Sequence, residues 1–175
     1  RQRQMCIRDR MHTGYAGDYV DAQIIKEVQS KYNGAQITKD MARRWKEQYS
    51  FVSTSTPDDP IMVDFSIEGK AMNLDITDCV QRACESIVDP IVENIKHLIA
   101  DSNPEYHDQF RRNMVLAGGG SGIRGLGALI ERRLSDMGDV NVHVVDDPVR
   151  LGAMGGLRLA CLLYTSDAAD DRDSG

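Results

Sequence analysis

Hydrophobic and polar positions alternate with a helical period over the first third of the chain. Val20, Ile24 and Val28 recur every four residues and Gly34 follows them, which predicts one helix with a glycine stop. Thr38 precedes a second helical pattern and is the expected N-cap. This pattern places three large side chains on one face, which we expect to be core rather than a platform for a base: Met41, Trp45 and Tyr49. Two helices are therefore predicted ahead of any strand.

The period changes to that of a strand after a polar, proline-punctuated loop at residues 53–60. Hydrophobic residues occupy alternate positions over residues 61–67 and again over residues 71–76. Glu68 and Gly69 separate the two runs and form the expected turn. The alternation predicts a β-hairpin with one buried face.

A longer helical pattern covers residues 78–100 and carries Pro90 near its middle. Since proline removes a backbone donor and clashes with the preceding turn, this pattern predicts either one kinked helix or two consecutive helices. Cys79 and Cys84 lie within it at a spacing that suits neither a metal knuckle nor a disulfide framework. We expect both to be buried free thiols.

Strands and helices alternate in the remainder. The predicted elements are a short helix at 104–110, a strand at 114–117, a helix ending at Met137, a strand at 140–145, and a final helix capped by Asp147 with Pro148 at its first position. The fold class is therefore α/β. We expect a helical and β-hairpin subdomain, residues 11–75, inserted ahead of an α/β subdomain, residues 76–160.

The two ends of the chain do not follow these patterns. Residues 1–10 (RQRQMCIRDR) and residues 161–175 (CLLYTSDAADDRDSG) resemble a translated sequencing adapter and lack apolar periodicity. We therefore expect both ends to be non-native, and residues 11–160 to be an internal piece of a longer gene product.

Charge and composition argue against several functions. The 175-residue chain has 21 basic and 27 acidic residues and a net charge of −6, which is unchanged without the two ends. A mildly acidic chain argues against a general binder of nucleic acid or of anionic membranes. No apolar run is long enough to span a bilayer. The histidines share no ligand spacing, so no metal site is predicted from them: His12, His97, His107 and His143.

A glycine-rich turn, VLAGGGSGIRGL, lies between a predicted strand and a predicted helix. Glycines at a helix N-terminus let a phosphate or nucleotide approach backbone amides. Residues 120–125 also satisfy the G-x-G-x-x-G pattern, which leaves an NAD-dependent Rossmann dehydrogenase as an alternative. Against it, Asp146 and Asp147 lie beyond the usual distance of about 20 residues. A turn whose glycines only permit close packing is a third interpretation.

Three stretches together resemble the actin, Hsp70 and sugar kinase superfamily. VLAGGGSGIRGL is similar to its adenosine-binding turn, AGDYVDAQI opens like the inserted subdomain of bacterial actins, and KEQYSFV resembles the segment that reaches adenine and ribose. In this order, with the trailing DDPVRLGAMGGLRLA, they look most like the magnetosome-associated bacterial actins. Ala16 and Gly122 depart from the pattern, where relatives often carry a glycine and a larger side chain. Because Gly122 has no side chain, we expect one contact near the adenine base to be lost.

The resemblance implies a fold, a ligand and a set of binding residues. The fold is the second lobe of an actin-like ATPase, and the ligand is ATP with Mg²⁺ between two lobes. The implied nucleotide-binding residues are Gly17, Asp18, Lys46, Glu47, Gly118, Gly119, Gly120, Ser121 and Ile123. The first two would lie near the phosphates, and Lys46 and Glu47 would face the base and ribose. Without the resemblance, Asp18 could equally be an N-cap, and Lys46 and Glu47 solvated charges.

The resemblance also implies an actin-like cytoskeletal ATPase that polymerises into filaments aligning magnetosomes. No catalytic residue and little of the metal site fall within the chain, so hydrolysis is expected of the parent protein and not of this piece. The implied partners are further copies of the protein and magnetosome-associated proteins, without nucleic acid and without direct membrane insertion. Its implied location is the cytoplasm, beside magnetosome membranes. A chaperone or sugar kinase of the same superfamily remains an alternative.

Overall fold

The computed structural model describes residues 15, 17–145, 155 and 157 of the chain. One continuous hydrophobic core draws on both predicted subdomains, and their boundary after residue 75 stays a prediction. Both adapter-like ends, Ala16, and the expected cap of a final helix at Asp147 and Pro148 lie outside the described residues.

The first two predicted helices are confirmed. α1 (Gly17–Lys31) buries the apolar residues that recur every four positions, and it ends before Gly34, whose φ of 79° suits glycine. α2 (Lys39–Tyr49) is capped by Thr38, whose hydroxyl accepts a hydrogen bond from Met41 N at 3.3 Å. Both helices therefore begin and end close to where capping chemistry predicts.

The prediction that two helices precede any strand is wrong. A two-residue strand, β1 (Ala35–Gln36), lies between α1 and α2. It pairs antiparallel with the hairpin, with Ala35 opposite Ile67 and Gln36 opposite Ser66. Two residues carry no period, so only pairing with a distant partner defines this strand.

The predicted hairpin is confirmed, but burial is concentrated in one of its strands. β2 (Met62–Ile67) and β3 (Lys70–Asp75) pair antiparallel in a sheet of order β1-β2-β3. Val63 and Phe65 of β2 are buried, and the Phe65 ring lies 5.9 Å from that of Trp45, which is a core residue as predicted. β3 is an edge strand and is mostly exposed.

Two consecutive helices, rather than one kinked helix, account for the long helical pattern. α3 (Thr77–Glu85) and α4 (Val88–Ala100) are separated by two residues. Pro90 is in the first turn of α4, where backbone N–H groups have no intrahelical partner, and is tolerated for that reason. Cys79 and Cys84 are buried free thiols, as expected.

The last described elements form the predicted β-α-β order. α5 (His107–Arg112) leads into β4 (Met114–Leu116), and the glycine turn joins β4 to α6 (Leu126–Arg133). β5 (Val142–Val144) pairs parallel with β4. The glycine turn thus lies at the carboxyl end of a parallel strand, which is where open α/β sheets bind their ligands.

Candidate functional site

A cavity of about 960 Å³ lies between α1, α2 and the glycine turn. Eight of the nine implied binding residues line it: Gly17, Asp18, Lys46, Glu47, Gly119, Gly120, Ser121 and Ile123. Gly118 lies in the turn but is not among the lining residues. Three stretches that are far apart in the sequence therefore meet at one cavity, and their role in binding stays a prediction.

The glycines of the turn fall into two groups. Gly118 and Gly125 have positive φ angles of 92° and 81°, and a Cβ on Gly125 would lie 2.4 Å from the Thr54 hydroxyl oxygen. The backbone therefore requires glycine at these two positions. Gly119, Gly120 and Gly122 have no positive φ, and a Cβ on any of them would meet no atom within 4 Å. Close packing does not explain these three glycines.

Ser121 is a buried residue of the turn and closes it with two hydrogen bonds. Its backbone N and its Oγ both donate hydrogen bonds to Gly118 O, at 3.0 and 2.8 Å. The hydroxyl proton is used within the turn, so that only the oxygen lone pairs remain for a ligand. Ile123, which is 5% exposed, anchors the end of the turn in the core.

The α2 wall presents a row of polar side chains to the cavity: Arg43, Lys46, Glu47 and Ser50. Their spacing of three and four residues places them on one helix face. Arg43 Nε donates to Glu47 Oε1 at 3.2 Å, and both side chains are well exposed. Such an exposed pair contributes only about 0.3–0.5 kcal/mol, so Glu47 can exchange it for a ligand contact at small cost.

Lys46 is held more firmly than its neighbours on α2. Its Nζ donates to Gly17 O at 2.9 Å and lies 2.7 Å from Asp21 Oδ1. The Asp21 side chain is 1% exposed and that of Lys46 is 19% exposed. Sequence reasoning missed Asp21, although it follows Gly17 by one helical turn and so shares its face of α1.

Asp18 also lines the cavity, and its side chain is exposed. It is the second residue of α1, so it is not the N-cap of the helix. Its carboxylate lies 3.6 Å from Lys39 Nζ, and its side chain is 82% exposed. It is therefore available to a ligand or a bound ion.

Hydrogen bonds join the segment that directly follows α2, residues 50–54, to the glycine turn. Val52 N donates to Arg124 O at 3.1 Å, and Arg124 N donates to Ser50 O at 3.2 Å. The Thr54 hydroxyl donates to Gly125 O at 2.7 Å. Main-chain contacts therefore set the distance between these two segments.

In the described part of the chain, no group of three or more His, Cys, Asp or Glu residues could hold a metal ion. Among the helices described, none has both the length and the apolar character that crossing a membrane requires.

A glycine turn at the carboxyl end of β4, faced by α1 and α2 across a cavity, is the arrangement that an actin-like fold implies. Residues 6–165 match the family model described as MreB/Mbl protein, and the chain belongs to this family.

Similar proteins include two described as actin-like protein MamK. That of Paramagnetospirillum magneticum is 38% identical over 152 residues, which cover 87% of this chain and 43% of that protein. That of Magnetospirillum gryphiswaldense is 35% identical over 152 residues, covering 87% of this chain and 42% of that protein. The chain thus spans less than half the length of these curated relatives.

Solved structures agree with this assignment. A non-polymerising MamK mutant bound to AMPPNP is 40% identical with a TM-score of 0.76, and the match covers 83% of this chain and 44% of that one. The MamK double helical filament is 38% identical with a TM-score of 0.78, covering 85% and 45%. The predicted resemblance to magnetosome-associated bacterial actins and the predicted actin-like α/β fold are confirmed. Neither the family nor these relatives favour the chaperone, kinase or dehydrogenase alternatives.

Proposed function

We propose that this chain forms the second-lobe wall of an ATP site in a filament-forming, actin-like cytoskeletal protein. The observation that carries the proposal is the pair of cavity-lining glycines that the fold does not require and that belong to the implied binding set: Gly119 and Gly120. A ligand that lies where their side chains would be accounts for them, because only glycine lets it approach the backbone. The AMPPNP bound to the similar MamK structure supports an adenine nucleotide as this ligand.

The lining residues suit the parts of a nucleotide. Lys46 offers a donor and Glu47 an acceptor for the base and ribose, and the glycine turn offers bare backbone. Asp18 is predicted to lie near the phosphates, where its carboxylate would be repelled by their negative charge. A cation between the carboxylate and the phosphates would remove this repulsion. We assign Mg²⁺ this role, with its other ligands in parts of the parent protein outside this chain.

Binding of a fluorescent ATP analogue to the chain tests the proposed site. Gly120→Val would fill the space assigned to the ligand, so we expect at least about tenfold weaker binding, or 1.4 kcal/mol. The thermal midpoint should move by less than about 3 °C, since a Cβ at this position meets no atom within 4 Å and the cavity lies beyond it.

Ala71→Val, on the exposed strand β3, is the matched control for added apolar volume and should change neither quantity. Equal affinity of Gly120→Val and the original chain would contradict the proposed site. So would the absence of saturable binding by the original chain.

For the parent protein, we propose ATP hydrolysis, assembly with further copies of itself, and association with magnetosome proteins in the cytoplasm. The existence of a MamK filament supports self-assembly, because a repeated head-to-tail contact generates an open filament. Sequencing the parent locus tests this: we expect glycine-rich phosphate hairpins encoded upstream, beside magnetosome genes. Further βαβ units downstream would contradict it. The expressed parent should form ATP-dependent filaments by electron microscopy.

A further inference from the structure

We propose that Asp21 is a positioning residue, which holds the Lys46 ammonium at the cavity wall, where it can also donate to the nucleotide. The inference rests on the proposed nucleotide site. It adds a residue outside the set that the family resemblance implies for binding.

Lys46 is fixed from two directions by α1. A lysine ammonium has three donors. One of them is donated to Gly17 O at 2.9 Å, and Nζ lies 2.7 Å from Asp21 Oδ1. Lys46 also lines the cavity, so donor capacity that Gly17 does not use is available to a ligand.

Burial of Asp21 makes this arrangement hard to abandon. Its carboxylate is shielded from water, and within the described residues Lys46 is its only ion-pair partner. Neither oxygen of Asp21 has a well-directed hydrogen bond there, although Nζ is close to Oδ1. Swinging Lys46 out to solvent would leave a buried, unpaired charge, which is strongly unfavourable. The ammonium is therefore confined to the cavity wall before any ligand arrives.

A second ion pair of α1 has the same distance between nitrogen and oxygen but lies outside the cavity. Glu27 Oε2 lies 2.7 Å from Arg82 Nε, and these side chains are 27% and 53% exposed. This pair joins α1 to α3 and is not part of the cavity lining. It provides a matched control for the loss of an α1 carboxylate.

The first test compares Asp21→Asn with Glu27→Gln. Because a lysine that is already fixed loses little side-chain freedom on binding, we expect Asp21→Asn to weaken binding of the ATP analogue about tenfold. Glu27→Gln should stay within about twofold of the original affinity. Equal losses in the two variants would overturn the proposal.

The second test removes Lys46 as well. In a Lys46→Met background, Asp21→Asn should cause no further loss of affinity, because Asp21 acts through Lys46. The double variant should also be more stable than Asp21→Asn alone, since it removes charge and counter-charge together. A double variant as unstable as the single variant, or additive losses of affinity, would show a merely structural role and overturn the proposal.

The third test needs no ligand. The rates of chemical acetylation of single lysines are measured by mass spectrometry. In the original chain, Lys46 should be acetylated more slowly than the exposed Lys39. In Asp21→Asn, Lys46 should be acetylated at least about fivefold faster than in the original chain. Equal rates at Lys46 in both chains would overturn the proposal, whether or not nucleotide binds. If the original chain binds no nucleotide, the proposed function fails instead, and this labelling still decides whether Asp21 holds Lys46.

Discussion

At the scale of single residues, Gly125 tests how the backbone of the turn constrains its sequence. Gly125→Ala would place a Cβ at a φ of 81° and 2.4 Å from the Thr54 hydroxyl. We expect the free energy of unfolding to fall by about 2–3 kcal/mol, measured by urea unfolding. Gly122→Ala adds the same atom in open space and should stay within about 0.5 kcal/mol of the original chain. Similar losses in both variants would contradict the division of the glycines into two groups.

The buried thiols make a second prediction at this scale. Burial raises the pKa of Cys84 to about 11, against a smaller lowering by the backbone of Phe51, and burial also raises the pKa of Cys79. Because the thiolate is the reactive form, neither should react with iodoacetamide at neutral pH while the chain is folded. The measurement uses a Cys6→Ser, Cys161→Ser background. Labelling should begin only with added denaturant, and rapid labelling of the native chain would be inconsistent with this burial.

At the scale of elements, Asp75 joins the end of β3 to the start of α3. Its carboxylate accepts hydrogen bonds from Thr77 N at 2.8 Å and from the Thr77 hydroxyl. The bond from the Thr77 side chain is the largest influence, and it holds the pKa of Asp75 below 3.8 although burial raises it. A carboxyl with a lowered pKa contributes stability that is present above 3.8 and is lost as the pH falls through the folded value.

We therefore expect Asp75→Asn to lower the free energy of unfolding at neutral pH by about 1 kcal/mol, as for the loss of a helix cap. The variant should also lose less stability than the original chain between neutral pH and about pH 3. Thr77→Val removes the donating hydroxyl and should change the acid dependence in the same direction. Urea unfolding across this pH range measures both effects, and an unchanged acid dependence would refute the assigned role of Asp75.

Elements that bury one face along a regular period could be predicted from the sequence. α1, α2 and the hairpin belong to this group, whereas β1 exists only through its pairing with Ile67 and Ser66. Pro90 predicted a break in the helical pattern but not where the break lies. The first turn of a helix accommodates proline without losing a hydrogen bond, so the break precedes Pro90 instead of falling at it.

The candidate site was predictable through family resemblance, and its supporting contacts were not. The resemblance points to the glycine turn, Lys46 and Glu47, which the structure brings to one cavity. Asp21 acquires its partner only because α1 and α2 pack together, a tertiary fact that no local pattern contains. That the fold requires glycine at Gly125 but not at Gly122 likewise depends on φ angles and on surrounding atoms, which the sequence does not show.

At the scale of the whole molecule, we expect the chain alone not to hydrolyse ATP. Phosphoryl transfer depends on preorganised charges around the γ-phosphate, and the family resemblance implies that these belong to the other lobe. Phosphate release by the purified chain should equal that of buffer. Turnover above this background, retained in Gly120→Val, would indicate a different catalytic site.

The chain should also associate with itself. A groove of about 880 Å³ beside β4 is lined by apolar side chains, among them the exposed residues Tyr106, Phe110 and Val115. Exposed apolar surface of this kind favours association in water. Light scattering should give a molar mass that rises with concentration, and Val115→Lys should reduce the rise. Met72→Lys, at an exposed strand position of the hairpin, is the control and should not. A monomer at every concentration would contradict this expectation.

The bonds that tie the segment after α2 to the glycine turn bear on how fast a nucleotide could leave. Separating these segments would require Val52 and Arg124 to give up their main-chain bonds, together with the bond from Thr54 to Gly125. Openings that break several bonds at once are rare events in a folded protein. The residence time of a bound nucleotide would therefore be set by the part of the parent protein that covers the open side of the cavity. The glycine turn and the segment bonded to it would stay in place while the nucleotide exchanges.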